Sequence, residues 1–214
     1  ATGDLSNHGH LNAYHRFLRI TAGLAKHSRW LPGNHDDQAL MREAVAAGPE
    51  LSGSIEIGPW RIIMLDSTVP GEVGGRFSAE ALELLRHELE QSSQQHVLLC
   101  LHHHPIPIGC DWLDEQVVAN ADDFFAILDQ FTHVRGLMWG HVHQQLDIER
   151  QGVKLMSTPS SCIQFAKNSP GFKMDKLNPG YRTVQLFPDG RIQTTVSRVT
   201  AVDFEINYDS AQGY

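Results

Sequence analysis

Val97-Leu98-Leu99-Cys100-Leu101-His102-His103-His104-Pro105 is the stretch on which the reading of this 214-residue chain turns. Five apolar residues follow one another without a polar break. A strand wetted on one face would alternate, so the run predicts a strand buried on both faces, as in a parallel or mixed sheet. It stops at three imidazoles and a proline. Leu137-Met138-Trp139 repeats the pattern and ends in Gly140-His141-Val142-His143. Arg29-Trp30-Leu31-Pro32 reads as a third short strand, running into the turn Gly33-Asn34-His35-Asp36, and a further polar pair, Gly3-Asp4, lies near the start. Ligands of open α/β sheets gather beyond the carboxyl ends of the strands, and four polar clusters so placed can converge on one site.

The flanking sequence supplies the rest of such a fold. Leu11, Tyr14, Phe17, Leu18 and Leu24 recur at helical spacing and predict a helix over 11–27. A second helix is expected over 38–47, stopped by Gly48-Pro49. Ile55 to Ile57 and Trp60 to Leu65 flank Gly58-Pro59 as a hairpin. Ser78 is an N-cap for a helix from 79 to about 92, with Glu80 in its first turn and Leu82, Leu85 and Leu89 as its buried stripe. Another helix is expected over 124–131. From 145 to 199 the pattern is of strands, with turns at Gln151-Gly152 and Asp189-Gly190. Residues 1–199 read as one domain and 200–214 as a surface tail. Helices alternating with strands, then mostly strands, define a layered α/β protein whose sheet is largely covered.

Composition narrows the class. With 41% hydrophobic and 20% charged residues the chain is globular rather than disordered. No apolar run approaches the roughly 20 residues of a membrane helix. A net charge of -8 gives no broad footprint for nucleic acid or an anionic membrane, so neither is expected as a partner. Cys100, Cys110 and Cys162 are too few and too scattered for a disulfide framework or a thiolate zinc site, which points to a reducing compartment, the cytoplasm. Thirteen histidines stand out, and they cluster.

Neighbouring strand residues point to opposite faces, so His102, His103 and His104 cannot all share one site. The spacing of two in His141 and His143 puts both imidazoles on one side of an extended segment. The donor set of imidazoles, a carboxylate and an amide oxygen, with no thiolate, suits Mn, Fe, Zn or Co and is poor for Ca or Mg. An aspartate can bridge two such ions about 3.5–4 Å apart, the usual clamp for phosphoryl hydrolysis.

Gly3-Asp4, Gly33-Asn34-His35-Asp36, His103 ahead of Pro105, and Gly140-His141-Val142-His143, in that order, resemble the calcineurin-like metallophosphoesterase superfamily. Three longer stretches are similar to the bacterial class III 3′,5′-cyclic AMP phosphodiesterases: 101–107 (LHHHPIP), 109–114 (GCDWLD) and 157–165 (STPSSCIQF). The resemblance implies a four-layer α/β/β/α sandwich with a two-metal centre at the strand ends. Asp4 would bridge the ions, Asn34, His103 and His141 would complete one, and His143 would bind the other. His103 is chosen because the family ligand lies two residues before the proline, with His102 and His104 as alternatives. Iron or manganese would be the expected pair, with zinc or cobalt also suited. The implied reaction opens the 3′ phosphodiester bond of cyclic AMP by an activated water to give 5′-AMP. Asn34 would neutralise phosphoryl charge, His35 would contact the phosphate and protonate the leaving ribose oxygen, and Asp36 would orient His35. The family's Asp-x-His strand, which precedes Gly-Asp, has no counterpart here, so the sandwich is expected to be N-terminally incomplete and the second ion to lack two ligands. Trp112, Phe165 and Phe172 could stack on a base, and Ser160, Ser161 and Gln164 could hydrogen-bond it; core aromatics and turn residues explain them equally well. Another hydrolase of the superfamily, or an inactive interaction module on the same fold, are the competing readings.

Overall fold

The apolar run becomes the second of four parallel strands at the centre of a six-stranded sheet. In a computed structural model describing residues 1–46, 48–51, 53–200 and 202–208, the elements in chain order are α1 (Leu11–Thr21), α2 (Gln38–Val45), a 3-10 turn (Pro49–Leu51), β1 (Ser54–Ile57), β2 (Trp60–Met64), α3 (Ala79–Gln91), β3 (His96–Leu101), α4 (Asp111–Asp114), α5 (Ala121–Leu128), β4 (Val134–Trp139), β5 (Leu146–Arg150), β6 (Val153–Ser157), β7 (Gln164–Phe165), β8 (Met174–Asp175), β9 (Gly180–Leu186) and β10 (Ile192–Arg198). The sheet order is β1-β2-β3-β4-β6-β5. β2, β3, β4 and β6 are parallel, and the edges β1 and β5 run antiparallel to their neighbours. β9 and β10 form a separate antiparallel ribbon across the Asp189-Gly190 turn, and β7 and β8 a shorter one.

Both faces of β3 are buried, as its sequence requires. Val97, Leu99 and Leu101 join Leu85 and Leu89 of α3 and Phe124 and Leu128 of α5. Leu98 and Cys100 join Trp60, Met64 and Met156, against which Leu186 and Ile192 of the ribbon pack. The layers are therefore helices, main sheet and ribbon. A further helical unit, α1 on α2, closes around Tyr14, Trp30 and Met41. Phe17 of α1 and Tyr181 of β9 border one cavity of about 430 Å³, which also reaches Asp4, His141 and His143.

Several boundaries differ from the sequence reading. α1 stops at Thr21, not 27: Thr21 Oγ1 bonds back to the Phe17 carbonyl, Gly23 is left-handed, and Leu24 is 77% exposed with no surface to pack on. Residues 29–32 are extended and half-buried or buried but form no strand. Leu31 N–H donates to the Ala1 carbonyl, the Ala1 amine to the Arg29 carbonyl and Trp30 N–H to the Glu50 carbonyl at 2.7 Å, bonds too scattered for a ladder. α2 ends at Val45, where Ala46 turns left-handed, and the expected last residue, 47, lies outside the described residues. α5 begins three residues early, because Ala121-Asp122-Asp123 form a polar first turn that complements the helix dipole but carries no apolar signal. α3 forms as expected, with Ser78 Oγ accepting from Ala81 N–H at 3.1 Å.

Candidate metal centre

Because β2, β3 and β4 are parallel, their carboxyl ends lie on one edge of the sheet. His102 leaves β3 there, and His141 follows β4 by two residues. Two loops close over them. Gly3 is left-handed, and a Cβ on it would collide with the His102 ring; a Cβ on Gly33 would collide with the Asp4 carboxylate. Only glycine permits these approaches. The Asp36 carboxylate accepts from the amides of Gly33 at 2.9 Å, Ser6 at 3.0 Å and Leu5 at 3.1 Å, so it ties the two loops together. Burial nevertheless pushes the Asp36 carboxyl above its ordinary range.

The histidine triplet divides by hydrogen bonding. His102 places Nδ1 2.6 Å from the Thr2 carbonyl and Nε2 3.1 Å from Asn34 Oδ1 and 3.3 Å from Asp4 Oδ2. The carbonyl fixes the proton on Nδ1 and leaves Nε2 facing two oxygens. Three acceptors facing one another need a proton or a cation among them, which is the signature of a ligand cluster. Nitrogens of His102, His103 and His141 come within 4.8 Å of one another, close enough for one ion. His103, however, has both nitrogens engaged: Nδ1 accepts from Ser67 Oγ at 2.9 Å, and Nε2 donates to the Val73 carbonyl at 3.0 Å. It has no lone pair left. Of the triplet it is His102 whose Nε2 lies beside Asp4 and Asn34, whereas the proline spacing pointed to His103. His104 lies 3.6 Å from Asp114 and stacks on His141.

His141 Nε2 is buried and has no hydrogen-bond partner among the described residues. Burial, with four neighbouring imidazoles, holds His141 well below the usual histidine range, and burial pushes His143 down to about 4. Both are neutral at physiological pH, the form that ligates a cation. Burial favours the neutral acid of Asp4, but the adjacent His102 outweighs it and keeps the carboxylate ionised. The residues present fit a metal centre.

Gly140-His141-Val142-His143 is not extended, contrary to the sequence expectation. His141 and His143 both have positive φ (60° and 48°), and Val142 N–H donates to the Gly140 carbonyl at 2.6 Å. The chain coils tightly, and this turn brings both rings toward Asp4. Such backbone costs about 1–3 kcal/mol per residue and is tolerated where a site over-determines it. The His143 ring lies flat on Phe165, centroids 4.2 Å apart. His35 donates its backbone N–H to Asp4 Oδ1 at 3.1 Å, and its Nδ1 lies 3.2 Å from the Asn7 carbonyl. A narrow cleft brings together Asp4, Asn34, His35, His141 and His143, with Trp112 on its wall. Ser67, which engages His103, went unnoticed in the sequence; its position just past β2 was the available signal.

This arrangement of a loop carboxylate and amide over strand-end imidazoles on a mixed α/β fold defines a metal-dependent hydrolase. The chain belongs to the calcineurin-like phosphoesterase family, whose family model matches residues 1–145. Its relatives include the 3′,5′-cyclic adenosine monophosphate phosphodiesterase CpdA of Pseudomonas aeruginosa, 42% identical over 214 residues, all of this chain and 78% of that protein. The protein of the same name from Escherichia coli K12 is 40% identical over 216 residues, again covering all of this chain and 78% of its own length. A dimetal phosphatase from Danio rerio shares the fold, with a TM-score of 0.54 at 17% identity over 86% of this chain and 78% of that one. Among the described residues, no helix is long and apolar enough to cross a membrane.

Proposed function

We propose that this enzyme hydrolyses the 3′ phosphodiester bond of 3′,5′-cyclic AMP, giving 5′-AMP in the cytoplasm. The observation that carries the reading is the meeting of Asp4 Oδ2, Asn34 Oδ1 and His102 Nε2, with the unpartnered His141 Nε2, in a chain about 40% identical to cyclic AMP phosphodiesterases. Two divalent cations, iron or manganese, would be held by Asp4 between them and by Asn34, His102, His141 and His143. When bound they supply an activated water and neutralise phosphoryl charge.

The remaining chemistry belongs to side chains. Asn34, with Oδ1 turned toward His102, has its amide N–H free to donate to a phosphoryl oxygen. His35 Nδ1 lies against the Asn7 carbonyl, which orients the ring, and Nε2 would carry the proton transfer. Protonated there, His35 gives that proton to the departing 3′ oxygen. His35→Ala is expected to lower kcat by on the order of 10²–10⁴-fold while bound metal stays unchanged. Elemental analysis and 5′-AMP release, measured on the same samples with added Mn or Fe, test this. Parallel loss of metal and turnover would reassign His35 to the metal. A wild-type enzyme that cleaves bis(p-nitrophenyl) phosphate but spares cyclic AMP would keep the diesterase and remove the nucleotide.

A further inference from the structure

The cleft beside the metal-ligating side chains has no room for a nucleoside. Its free space is about 10 Å³, that of one water, and Trp112 and Phe165, the aromatics that could stack on a base, line this closed space. Two larger cavities adjoin it. One, of about 430 Å³, shares Asp4, His141 and His143 with the cleft. The other, of about 480 Å³, shares Asn34 and His35. Both fall within the roughly 300–1,000 Å³ of small-molecule sites. Segments 8–9, 33–38 and 68–71 line the second cavity, and each is fastened. Ser6 and Gly33, just before the first segment and at the start of the second, are tied through the Asp36 carboxylate. Gln38 Nε2 donates to Thr68 Oγ1 and to Asp66 Oδ2, both at 2.9 Å, which joins the second segment to the third. The third is a closed turn: Glu72 N–H donates to the Val69 carbonyl at 3.0 Å, and Gly71 takes the left-handed φ of 80° that such a turn requires.

We infer that the nucleoside of the substrate occupies the 480 Å³ cavity, with the ribose against His35 and the base toward Val69 and Pro70. The departing 3′ oxygen belongs to the ribose, so the cavity that takes the sugar must be the one that His35 borders. His35 lines the second cavity and not the first. Charge points the same way. The carboxylates of Asp36 and Asp37 lie on this wall, where they repel an anionic phosphoryl group and leave the space to the neutral end of the substrate. Asp36 and Asp37 already accept backbone amides, and the Gln38 amide is engaged at both ends, so these side chains offer the base little hydrogen bonding. Val69 is half-buried and Pro70 exposed, and both offer apolar surface for the face of a purine. The inference rests on the diesterase reading above and on the part that His35 plays in it, and the test separates them.

Adenosine, a nucleoside without phosphate, is the first probe, added to the wild-type protein with no metal. The backbone amide resonances of Gly9, Val69 and Gly71 are expected to shift as it is titrated in, and those of Gly140, Gly180 and Tyr181, which line the other cavity, to stay in place. Shifts confined to the second set would move the nucleoside to the 430 Å³ cavity and overturn the assignment, and so would a titration that moves neither. Val69→Trp fills the proposed space with an indole. It is expected to lower kcat/KM for cyclic AMP about tenfold or more, chiefly through KM, while bound metal is unchanged. An unchanged kcat/KM in the folded variant would also overturn the assignment. A wild type that spares cyclic AMP while adenosine moves the first set of amides would lose the diesterase reading and keep the nucleoside site. Hydrolysis of cyclic AMP with no such shifts would keep the reading and remove the site.

Discussion

His102 and His103 carry the same side chain one residue apart, and the pleat gives them opposite work. Val97, Leu99 and Leu101 face the helices, while Leu98 and Cys100 face the ribbon. His102 continues the second set and reaches the Thr2 carbonyl; His103 turns to Ser67 and Val73. His102→Ala should therefore abolish stable metal binding, measured by elemental analysis after dialysis. His103→Ala should keep its metal and lose about 1–3 kcal/mol of stability, because buried partners are left unpaired. The opposite pattern would restore His103 as the ligand. Asp4, Asn34, His35, His141 and His143 were legible because each sits in a short polar motif, the last two just past β4. The choice within the triplet was not, since spacing from a proline counts residues and carries no information about which face meets Gly3-Asp4.

At the scale of elements, the continuous apolar strands and the Ser78 cap could be read directly, because hydrophobic period and capping chemistry are local. Boundaries set by a distant partner could not. Residues 29–32 have strand composition yet make only scattered bonds to Ala1 and Glu50, and the 140–143 turn alternates like a strand while His141 and His143 have left-handed φ angles. The ribbon shows how one side chain joins elements. The Arg182 guanidinium, almost wholly buried, donates to the carbonyls of Ser157 at 2.8 Å and Leu146 at 3.1 Å, to Thr194 Oγ1 at 2.8 Å and to Asp147 Oδ1 at 2.6 Å. Partial burial raises the Asp147 carboxyl, but Arg182 and Gln145 outweigh it and hold it below the usual range. A carboxylate depressed in the folded state contributes stability above its unfolded value of about 4, and that contribution disappears as pH falls through the folded value. The urea midpoint of Asp147→Asn should thus lie below wild type at about pH 7, and the gap should narrow as pH falls below about 4. A gap that persists in acid would mean the link to Arg182 is not electrostatic.

For the molecule as a whole, the sheet is the support on which the site depends. Leu99 is fully buried at the centre of the helix-side cluster. Leu99→Ala should cost about 2–5 kcal/mol, read as a lower midpoint in chemical denaturation, while metal-loaded protein at neutral pH keeps its turnover per folded molecule. A fall in turnover exceeding the fall in folded fraction would show that the strand ends move with the core. The layered α/β class was legible because strand burial on both faces demands cover on both faces. How α1 and α2 sit was not, because the period of α1 marks its buried face but not the Trp30 and Met41 side chains that the face meets. The ligands also have an order in time. Asp4 and His143 lie roughly 140 residues apart, and a ribosome adding about 5–20 residues per second needs on the order of ten seconds to deliver the second after the first. For that interval the carboxylate is offered to whatever cations the surroundings hold, first with no ligand imidazole beside it and then with His102 alone, until the two of the 140–143 turn have been synthesised.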